Sequence, residues 1–184
     1  MLFRSRYCMT DVYVGGHPIP NGESVKAAIA MIDLINQSGP DDLFISVTSG
    51  GSSALLAYPV EGITLDDEKL THDILLKSGA KILEINAIRR HISRTNGGRL
   101  AERICNDIGA ELISLMVGDA VGGAVTKQRG VPGVFYGTMF AADGTTIQNA
   151  RETIKNYNLY DKLPGSVISY INDDILVKET PKAF

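Results

Sequence analysis

The sequence predicts an α/β fold: a layered, Rossmann-like domain with a mainly parallel sheet that is incomplete. Short apolar runs typical of strands are separated by long stretches of helical periodicity. Glycines follow closely after two of these runs, Gly50-Gly51 one residue after Leu43–Thr48 and Gly118 directly after Leu112–Val117. So few strands make a thin sheet, and this shortage indicates that part of the domain is absent.

The first elements follow from local signals. Val12–Val14 is a predicted short strand, ended by glycines and prolines. Asn21 can cap a helix that runs to about Gln37, where a Ser-Gly-Pro sequence stops it. Leu43–Thr48 is then predicted to be a central strand, because both of its faces carry apolar residues.

Helical patterns dominate the middle of the chain. An N-terminal capping signature at Thr64 begins a helix that continues to Gly79. Isoleucines spaced from Ile82 to Ile92 form the stripe of the next helix. Leu100–Ile108 is a third amphipathic segment, ended by Gly109.

The last third begins with the second apolar strand, Leu112–Val117. Residues 127–143 lack periodicity and predict a long surface loop. Thr145 or Thr146 caps a helix whose inward residues are Ile147, Ala150, Ile154 and Tyr157. A short helix near Pro164–Tyr170 and a linker at Glu179–Lys182 complete the prediction.

Composition narrows the function classes. The 184 residues carry a formal net charge of −3 and no basic run, which argues against nucleic acid or an anionic membrane as the main partner. No apolar stretch is long enough for a membrane span, and the start shows no secretory signal. The cysteines form no CxxC pair, so they are interpreted as reduced thiols and the expected compartment is the cytoplasm.

The first candidate site is the break after the first strand, residues Ser49, Gly50, Gly51, Ser52 and Ser53. Glycines let the backbone turn sharply and approach a ligand closely. Free N–H groups at the start of the following helix attract anions, and three hydroxyls add donors. The loop therefore predicts a binding site for a small acidic or phosphorylated ligand.

The second candidate site lies on the helix around Ile88. Asn86, Arg89 or Arg90, and Ser93 share one polar side, and arginine suits bidentate capture of carboxylate or phosphate. A solvated helix face is the alternative. Asp119, at the end of the second strand, is predicted to hold Mg²⁺ or orient a hydroxyl, or else only to cap the next turn.

Several common motifs are absent from this sequence. It contains no GxxxxGK[ST] P-loop, no GxGxxG after a strand and no zinc-ligand spacing. Gly50–Ala54 is close to the G-x-S-x-G elbow of hydrolases, which would make Ser52 a nucleophile and Gly15-Gly16-His17 an oxyanion loop. That mechanism needs a histidine on a late loop, whereas the last histidine, His91, falls in a predicted helix.

Taken together, several segments resemble the type II glycerate kinases, also called glycerate 2-kinases, and specifically their large domain. The joint order and spacing of the segments carry the resemblance, from about Val14 to Lys182. The matching segments are His17–Pro20 with Ser24-Val25, Ser49–Leu56, Glu61–Leu65, Ile85-Asn86, Arg89–Ser93, Gly97–Ala101, Gly118-Asp119 with Gly122, Leu163-Pro164 and Glu179–Lys182.

The resemblance implies ATP-dependent phosphorylation of the 2-hydroxyl of D-glycerate to 2-phosphoglycerate, with Mg²⁺, in a cleft between two domains. We assign the serines and glycines at 49–53 to the substrate carboxylate or a phosphate, and Arg89 or Arg90 to an anion. Asp119 is assigned to the acceptor hydroxyl or the metal. Asn86 and His17 are secondary candidates, although His17 could equally be a packing residue.

Members of the family are longer at both ends. We therefore expect residues 1–5 (Met-Leu-Phe-Arg-Ser, which reads like a translated sequencing adapter) to be a non-native start. Residues 6–184 would be the central part of one α/β domain, without an N-terminal segment and a C-terminal second domain. Such a fragment is expected to be inactive alone, and a homodimer is left open.

Three positions depart from the family pattern. Asn96 stands where the family usually has lysine, Gly118 where it has serine, and Gly123 where it has aspartate. The first change removes a cation useful for phosphates, and the last removes a metal ligand. A non-catalytic relative that binds a hydroxy acid or a sugar phosphate is therefore the main alternative, and a Ser52 hydrolase is the third.

Overall fold

The structure is a computed structural model, and it describes residues 10–117 and 139–183. Helices make up most of this structure, together with one small sheet. In chain order the elements are α1 (Gly22–Asn36), β1 (Leu43–Thr48), α2 (Ser52–Leu55), α3 (Leu65–Lys77), α4 (Ile82–His91), α5 (Arg99–Glu102), a π-helical segment (Arg103–Ile108), β2 (Glu111–Met116), α6 (Ile147–Asn156) and α7 (Gly165–Asn172).

The two strands pair in parallel, which confirms the predicted α/β class. Leu43 lies opposite Glu111, and Thr48 opposite Met116. The connection between β1 and β2 passes through α2 to α5 and the π-helical segment, because parallel strands need a crossover rather than a hairpin. Both strands therefore end at the same edge of the sheet.

Within the described residues only one face of this sheet is covered, so the prediction that β1 is a central strand with both faces buried is wrong for this chain. Phe44 and Leu112 pack inward against Ile35, Leu100 and Ile104. On the outer face the alternate side chains Leu43, Ile45 and Val47 are 52%, 63% and 69% exposed. The apolar residues that indicated a central strand are present, but one set of them faces outward.

The main hydrophobic core lies between α3, α4, α6 and α7. Ile88 and Ile92 of α4 and Ile154 of α6 are fully buried in it, together with Ile171 of α7. The inward stripe predicted for α6 is confirmed: Ala150 and Ile154 are fully buried, and Ile147 and Tyr157 pack against the same core. This core fixes α4, which carries the second group of candidate site residues.

The predicted caps are confirmed. Asn21, Thr64 and Thr146 each accept a hydrogen bond from the backbone N–H three residues later, and each forms a reciprocal capping box. The short helix predicted after Pro164 is also present, as α7. None of the helices within 10–117 and 139–183 is both long and apolar enough to cross a membrane.

Two further sequence predictions are wrong, and a third is wrong over the part that the structure describes. Val12–Val14 has no strand hydrogen bonding. The described end of the predicted surface loop is interior, because Met139 is fully buried and Asp143 is 1% exposed. Glu179–Lys182 is anchored rather than a free linker, since Thr180 is buried and the Pro181 carbonyl accepts a hydrogen bond from the Asp143 N–H.

Candidate functional site

The loop at residues 49–53 lies at the carboxyl end of β1. Gly51 adopts a φ of 85°, in the left-handed region that favours glycine, and forms the N-cap of α2. Because α2 has only four residues, its macrodipole is small. An anion here would depend on individual N–H and hydroxyl groups, and less on the helix start that the sequence suggested.

His17 lies directly against this loop. A Cβ atom built on Gly51 would be 2.7 Å from Cδ2 and Nε2 of the His17 ring. The preceding glycine segment is equally close, since a Cβ on Gly15 would be 2.9 Å from the Leu55 carbonyl oxygen. The structure therefore brings His17 and Gly51 together, and the lack of a side chain at Gly51 makes room for the imidazole.

The other candidate residues meet at a small cavity of about 10 Å³, which we call the polar cavity. It is lined by Ser53, His72, Asn86, Arg89, Arg90 and Asn96. Four of these were predicted site residues on two separate segments, and Ser53 links them to the loop. Ser49, Gly50, Gly51, Ser52 and His17 do not line it. A cavity of this size holds about one water molecule, so a three-carbon acid would have to bind at its mouth.

Arg90 is part of a buried ion pair, so a solvated helix face is not what the structure shows at this position. Its Nη1 donates to Asp143 Oδ1 at 2.7 Å, and the two side chains are 3% and 1% exposed. Hydroxyl groups of Thr145 and Thr180 also donate to the Asp143 carboxylate. Burial opposes ionisation, but Arg90 and these hydrogen bonds hold the pKa of Asp143 below its usual value.

Arg89 is supported by two residues that the sequence analysis did not select. Its Nε donates to Nε2 of His72 at 3.3 Å, and that ring nitrogen lies 3.8 Å from Glu68 Oε1. Glu68 is 1% exposed, and within the described ranges its Oε2 has no hydrogen-bond partner. The signal was available: Glu68 and His72 are four residues apart on α3 and therefore share a face.

Burial shifts the pKa values of Glu68 and His72. Desolvation raises the pKa of Glu68 to about 7, although the Arg89 charge opposes the shift. Desolvation, with the Arg89 charge acting in the same direction, lowers the pKa of His72 to about 3. His72 is thus a neutral acceptor for Arg89, and Glu68 changes charge near neutral pH.

His91 and Asn96 have structural partners. Nδ1 of His91 lies 2.6 Å from the Ala87 carbonyl oxygen, and its Nε2 lies 2.6 Å from Glu179 Oε1. Both ring nitrogens are therefore engaged, and His91 is not placed to act as the base of a Ser52 hydrolase. The Asn96 amide donates to the hydroxyl of Ser93 at 3.1 Å, which orders the turn where the family usually has lysine.

The predicted metal ligand Asp119 lies outside the described residues, as do Gly118 and Gly123. Among the residues that the structure does describe, no group of three or more His, Cys, Asp or Glu side chains is arranged to hold a metal ion. Mg²⁺ often takes only one or two carboxylates together with substrate phosphates, so a metal site of that kind remains a prediction for Asp119.

Comparisons with known proteins show the family of this chain. The profile of the family described as "Domain of unknown function (DUF4147)" matches residues 4–172. A protein of Pyrococcus horikoshii named glycerate 2-kinase is 39% identical over 93% of this chain and 37% of its own length. An Agrobacterium vitis protein, provisionally named a hydroxypyruvate reductase, is 40% identical over 78% of this chain and 34% of its own length.

A solved structure has the same fold. The crystal structure of a glycerate kinase from Thermotoga maritima superposes with a TM-score of 0.76 at 29% identity, over 98% of this chain and 39% of that one. The chain thus spans little more than a third of the length of the proteins that it matches.

Proposed function

Because the chain belongs to the DUF4147 family, the family of the glycerate kinases, we propose that its protein uses ATP to phosphorylate the 2-hydroxyl of D-glycerate, giving 2-phosphoglycerate. The observation that carries the proposal is the meeting of Ser53, Asn86 and Arg89 at one cavity, just after the first parallel strand. Hydroxyl, amide and guanidinium groups are the donors that a carboxylate or phosphate accepts. The names of the Pyrococcus and Thermotoga relatives support the substrate class.

Of the two neighbouring arginines, Arg89 is the proposed anion clamp. Arg90 already donates to Asp143, and its burial there suits it to holding α4 against the 143–145 segment. Arg89 donates to a neutral histidine and keeps most of its donors for a ligand at the mouth of the cavity. The hydroxyls of Ser49, Ser52 and Ser53, with the Gly50 and Gly51 backbone and His17, would complete the anion site.

Phosphoryl transfer depends on positioning and charge neutralisation more than on covalent help from the protein. The glycerate 2-hydroxyl oxygen bonds to the γ-phosphorus and releases its proton to solvent, while the bond to the β,γ-bridging oxygen breaks and ADP leaves. We propose Asp119 as the group that orients this hydroxyl or holds Mg²⁺. It follows two residues after Val117, whose N–H donates to the Thr48 carbonyl at 2.8 Å, beside the start of the loop at 49–53.

One relative is named a hydroxypyruvate reductase. This name indicates the same class of three-carbon acid substrate but a different reaction. Hydroxypyruvate and glycerate share the carboxylate and the terminal hydroxymethyl group. A reductase would bind a nicotinamide dinucleotide, and this sequence contains no GxGxxG after a strand. The kinase is therefore the preferred proposal, and the reductase is an outcome of the test.

The test uses the product of the complete gene, recovered with its flanking DNA. The enzyme is given D-glycerate and ATP, and the product is detected with enolase, which accepts 2-phosphoglycerate. We expect ATP-dependent signal from this protein and none from the 184-residue chain alone, which spans little more than a third of the length of the relatives that it matches. NADH oxidation with hydroxypyruvate, without phosphorylation of glycerate, would favour the reductase.

Two variants test the proposed role of Arg89. Arg89→Lys keeps the charge but loses the bidentate fork, and we expect kcat/KM for glycerate to fall roughly 100-fold, as for the loss of charge-assisted hydrogen bonds. Lys162→Gln removes a charge from an exposed position before α7 and should leave kcat/KM unchanged. Equal activity of Arg89→Lys and the wild type would exclude Arg89 as the clamp.

A further inference from the structure

A second cavity, of about 710 Å³, is separate from the polar cavity. Its walls come from the segment before α3, the turn after α4, the start of the π-helical segment and the end of the chain after α7. Of the described residues that the sequence singled out as candidate sites, Ser93 lines this cavity and the others do not. Volumes of a few hundred Å³ are typical of small-molecule sites.

The lining of this cavity is strongly cationic. It contains Arg94, Arg99, Arg103 and Lys178, and we call it the arginine cavity. The carboxylate in the lining, Glu61, is 94% exposed at the rim and lies 3.7 Å from Arg94 Nη2. Among the lining side chains four positive charges face one rim carboxylate, and the charges of Glu102 and Glu179, which are outside the lining, also act on Arg99.

Arg99 is buried with one of its N–H donors, Nε, unpaired within the described residues. Its side chain is 9% exposed, and its Nη2 donates to the Lys178 carbonyl oxygen at 2.9 Å. Its Nε is buried and has no hydrogen-bond partner in the part of the chain that the structure describes. A buried guanidinium N–H without a partner is costly, and because this Nε is not exposed to the cavity, a bound acceptor would satisfy it only if the Arg99 side chain turned.

Arg103 adds a second guanidinium four residues along the helical chain from Arg99. No hydrogen bond or ion pair engages the Arg103 side chain within the described ranges. Like charges four residues apart on a helix repel each other, and an anion between them would remove the repulsion. Paired guanidinium groups are the preferred protein donors to phosphate oxygens.

Less polar side chains also line the cavity. Val60, Tyr170 and Leu176 contribute to the lining, and an aromatic ring beside aliphatic side chains can receive the apolar or ring part of a metabolite. The cavity thus combines a phosphate-binding wall with a surface for an organic group.

We propose that the arginine cavity binds a phosphorylated small molecule, with Arg99 and Arg103 on the phosphate oxygens and the organic part against Tyr170. This goes beyond the proposed function, because it concerns different residues and requires no turnover of glycerate. Binding measured on the 184-residue chain tests it directly, whether or not the complete protein is a glycerate kinase.

The experiment is isothermal titration calorimetry of the chain with two probes, pyrophosphate and ATP. We expect both to bind, and Arg103→Gln or Lys178→Gln to weaken each roughly tenfold, which corresponds to one lost charge-assisted contact. Lys162→Gln, an equal loss of charge on a surface outside the cavity, should bind like the wild type. Tighter binding of ATP than of pyrophosphate would identify an organic phosphate as the ligand, and equal affinity would identify the phosphate chain alone.

Three results would overturn the proposal. One is no heat of binding for either probe at millimolar concentration in low salt. Another is unchanged affinity in both cavity variants, with circular dichroism showing that they are folded. The third is loss of binding in Ser53→Ala together with retention in Arg103→Gln, which would assign the phosphate to the loop at 49–53.

Discussion

Glu68 shows how one buried group makes the stability of this chain depend on pH. Its carboxyl lies beside His72 and Arg89, and burial raises its pKa from 4.5 to about 7. The folded state therefore binds this proton more strongly than the unfolded state does. As pH rises from about 4.5 through 7, ionisation of Glu68 removes stability from the folded protein.

We expect Glu68→Gln to abolish this loss, because the amide carries no charge to desolvate. The free energy of unfolding of the variant relative to the wild type should increase by about 3 kcal/mol between pH 4.5 and pH 8. His72 stays neutral in the folded state of both proteins across this window, since its pKa is about 3. Urea unfolding at several pH values measures the difference.

The matched control is Glu152→Gln, at an exposed position of α6. Its stability relative to the wild type should not vary with pH. A Glu68→Gln difference that is equally constant would mean that Glu68 is not buried beside Arg89 as described.

At the scale of elements, the turn from α4 into α5 positions both cavities. Gly97 and Gly98 adopt φ values of 68° and 80°, which non-glycine residues rarely take. This turn places Asn96 at the polar cavity and Arg99 at the arginine cavity. The chain end lies directly over it, because a Cβ on Gly97 would be 2.8 Å from Thr180 Cγ2 and 3.2 Å from Arg90 Cβ.

Gly97→Ala is therefore expected to destabilise the fold by roughly 2 kcal/mol or more, from backbone strain and overlap with Thr180. Gly165→Ala is the control, since nothing lies within 4 Å of its Cβ position at the start of α7. The control should unfold at the same urea concentration as the wild type or a slightly higher one. Equal stability of the two variants would contradict the packing of the chain end on this turn.

Some features of the helices could be predicted from local sequence signals, and others could not. The caps at Thr64 and Thr146 were predictable because a capping box depends on only four consecutive residues. The shortness of α2 and the π-helical form of Arg103–Ile108 were not, since both depend on how these segments pack. Apolar spacing alone predicted one continuous helix over Leu100–Ile108.

At the scale of the whole molecule, the outer face of the sheet is the prominent surface. Ile45 and Val47 of β1 lie beside Ile113 and Leu115 of β2, and all four are between 47% and 69% exposed. Contiguous apolar surface of this kind is typical of an interface or of a face that other parts of a domain cover.

We expect the purified chain to associate with itself through this face. The double variant Ile45→Thr and Val47→Thr keeps β-branched residues in the strand, and should lower the association constant at least roughly tenfold because it removes apolar contacts. Sedimentation velocity over a range of concentrations measures this. Leu76→Gln, at another exposed apolar position on α3, should leave association unchanged. An unaffected double variant would rule out the sheet face.

The sequence by itself determined the α/β class, the two parallel strands, most helix caps and the family. These depend on spacings of two to four residues, or on the joint order of short motifs. It also selected Ser53, Asn86, Arg89 and Arg90, which the fold brings to one cavity.

Only the tertiary structure decided what these residues do to each other. Arg90 forms an ion pair with Asp143, which is 53 residues away in the sequence. Glu68 of α3 is buried beside Arg89 of the next helix, α4. The arginine cavity is likewise lined by Leu176 and Lys178, which directly precede the Glu179–Lys182 segment that the sequence presented as a linker. Periodicity specifies which face of a helix is buried, but the partner of that face is set by packing between distant segments. For this reason the polar partners and the second cavity could not be predicted from the sequence alone.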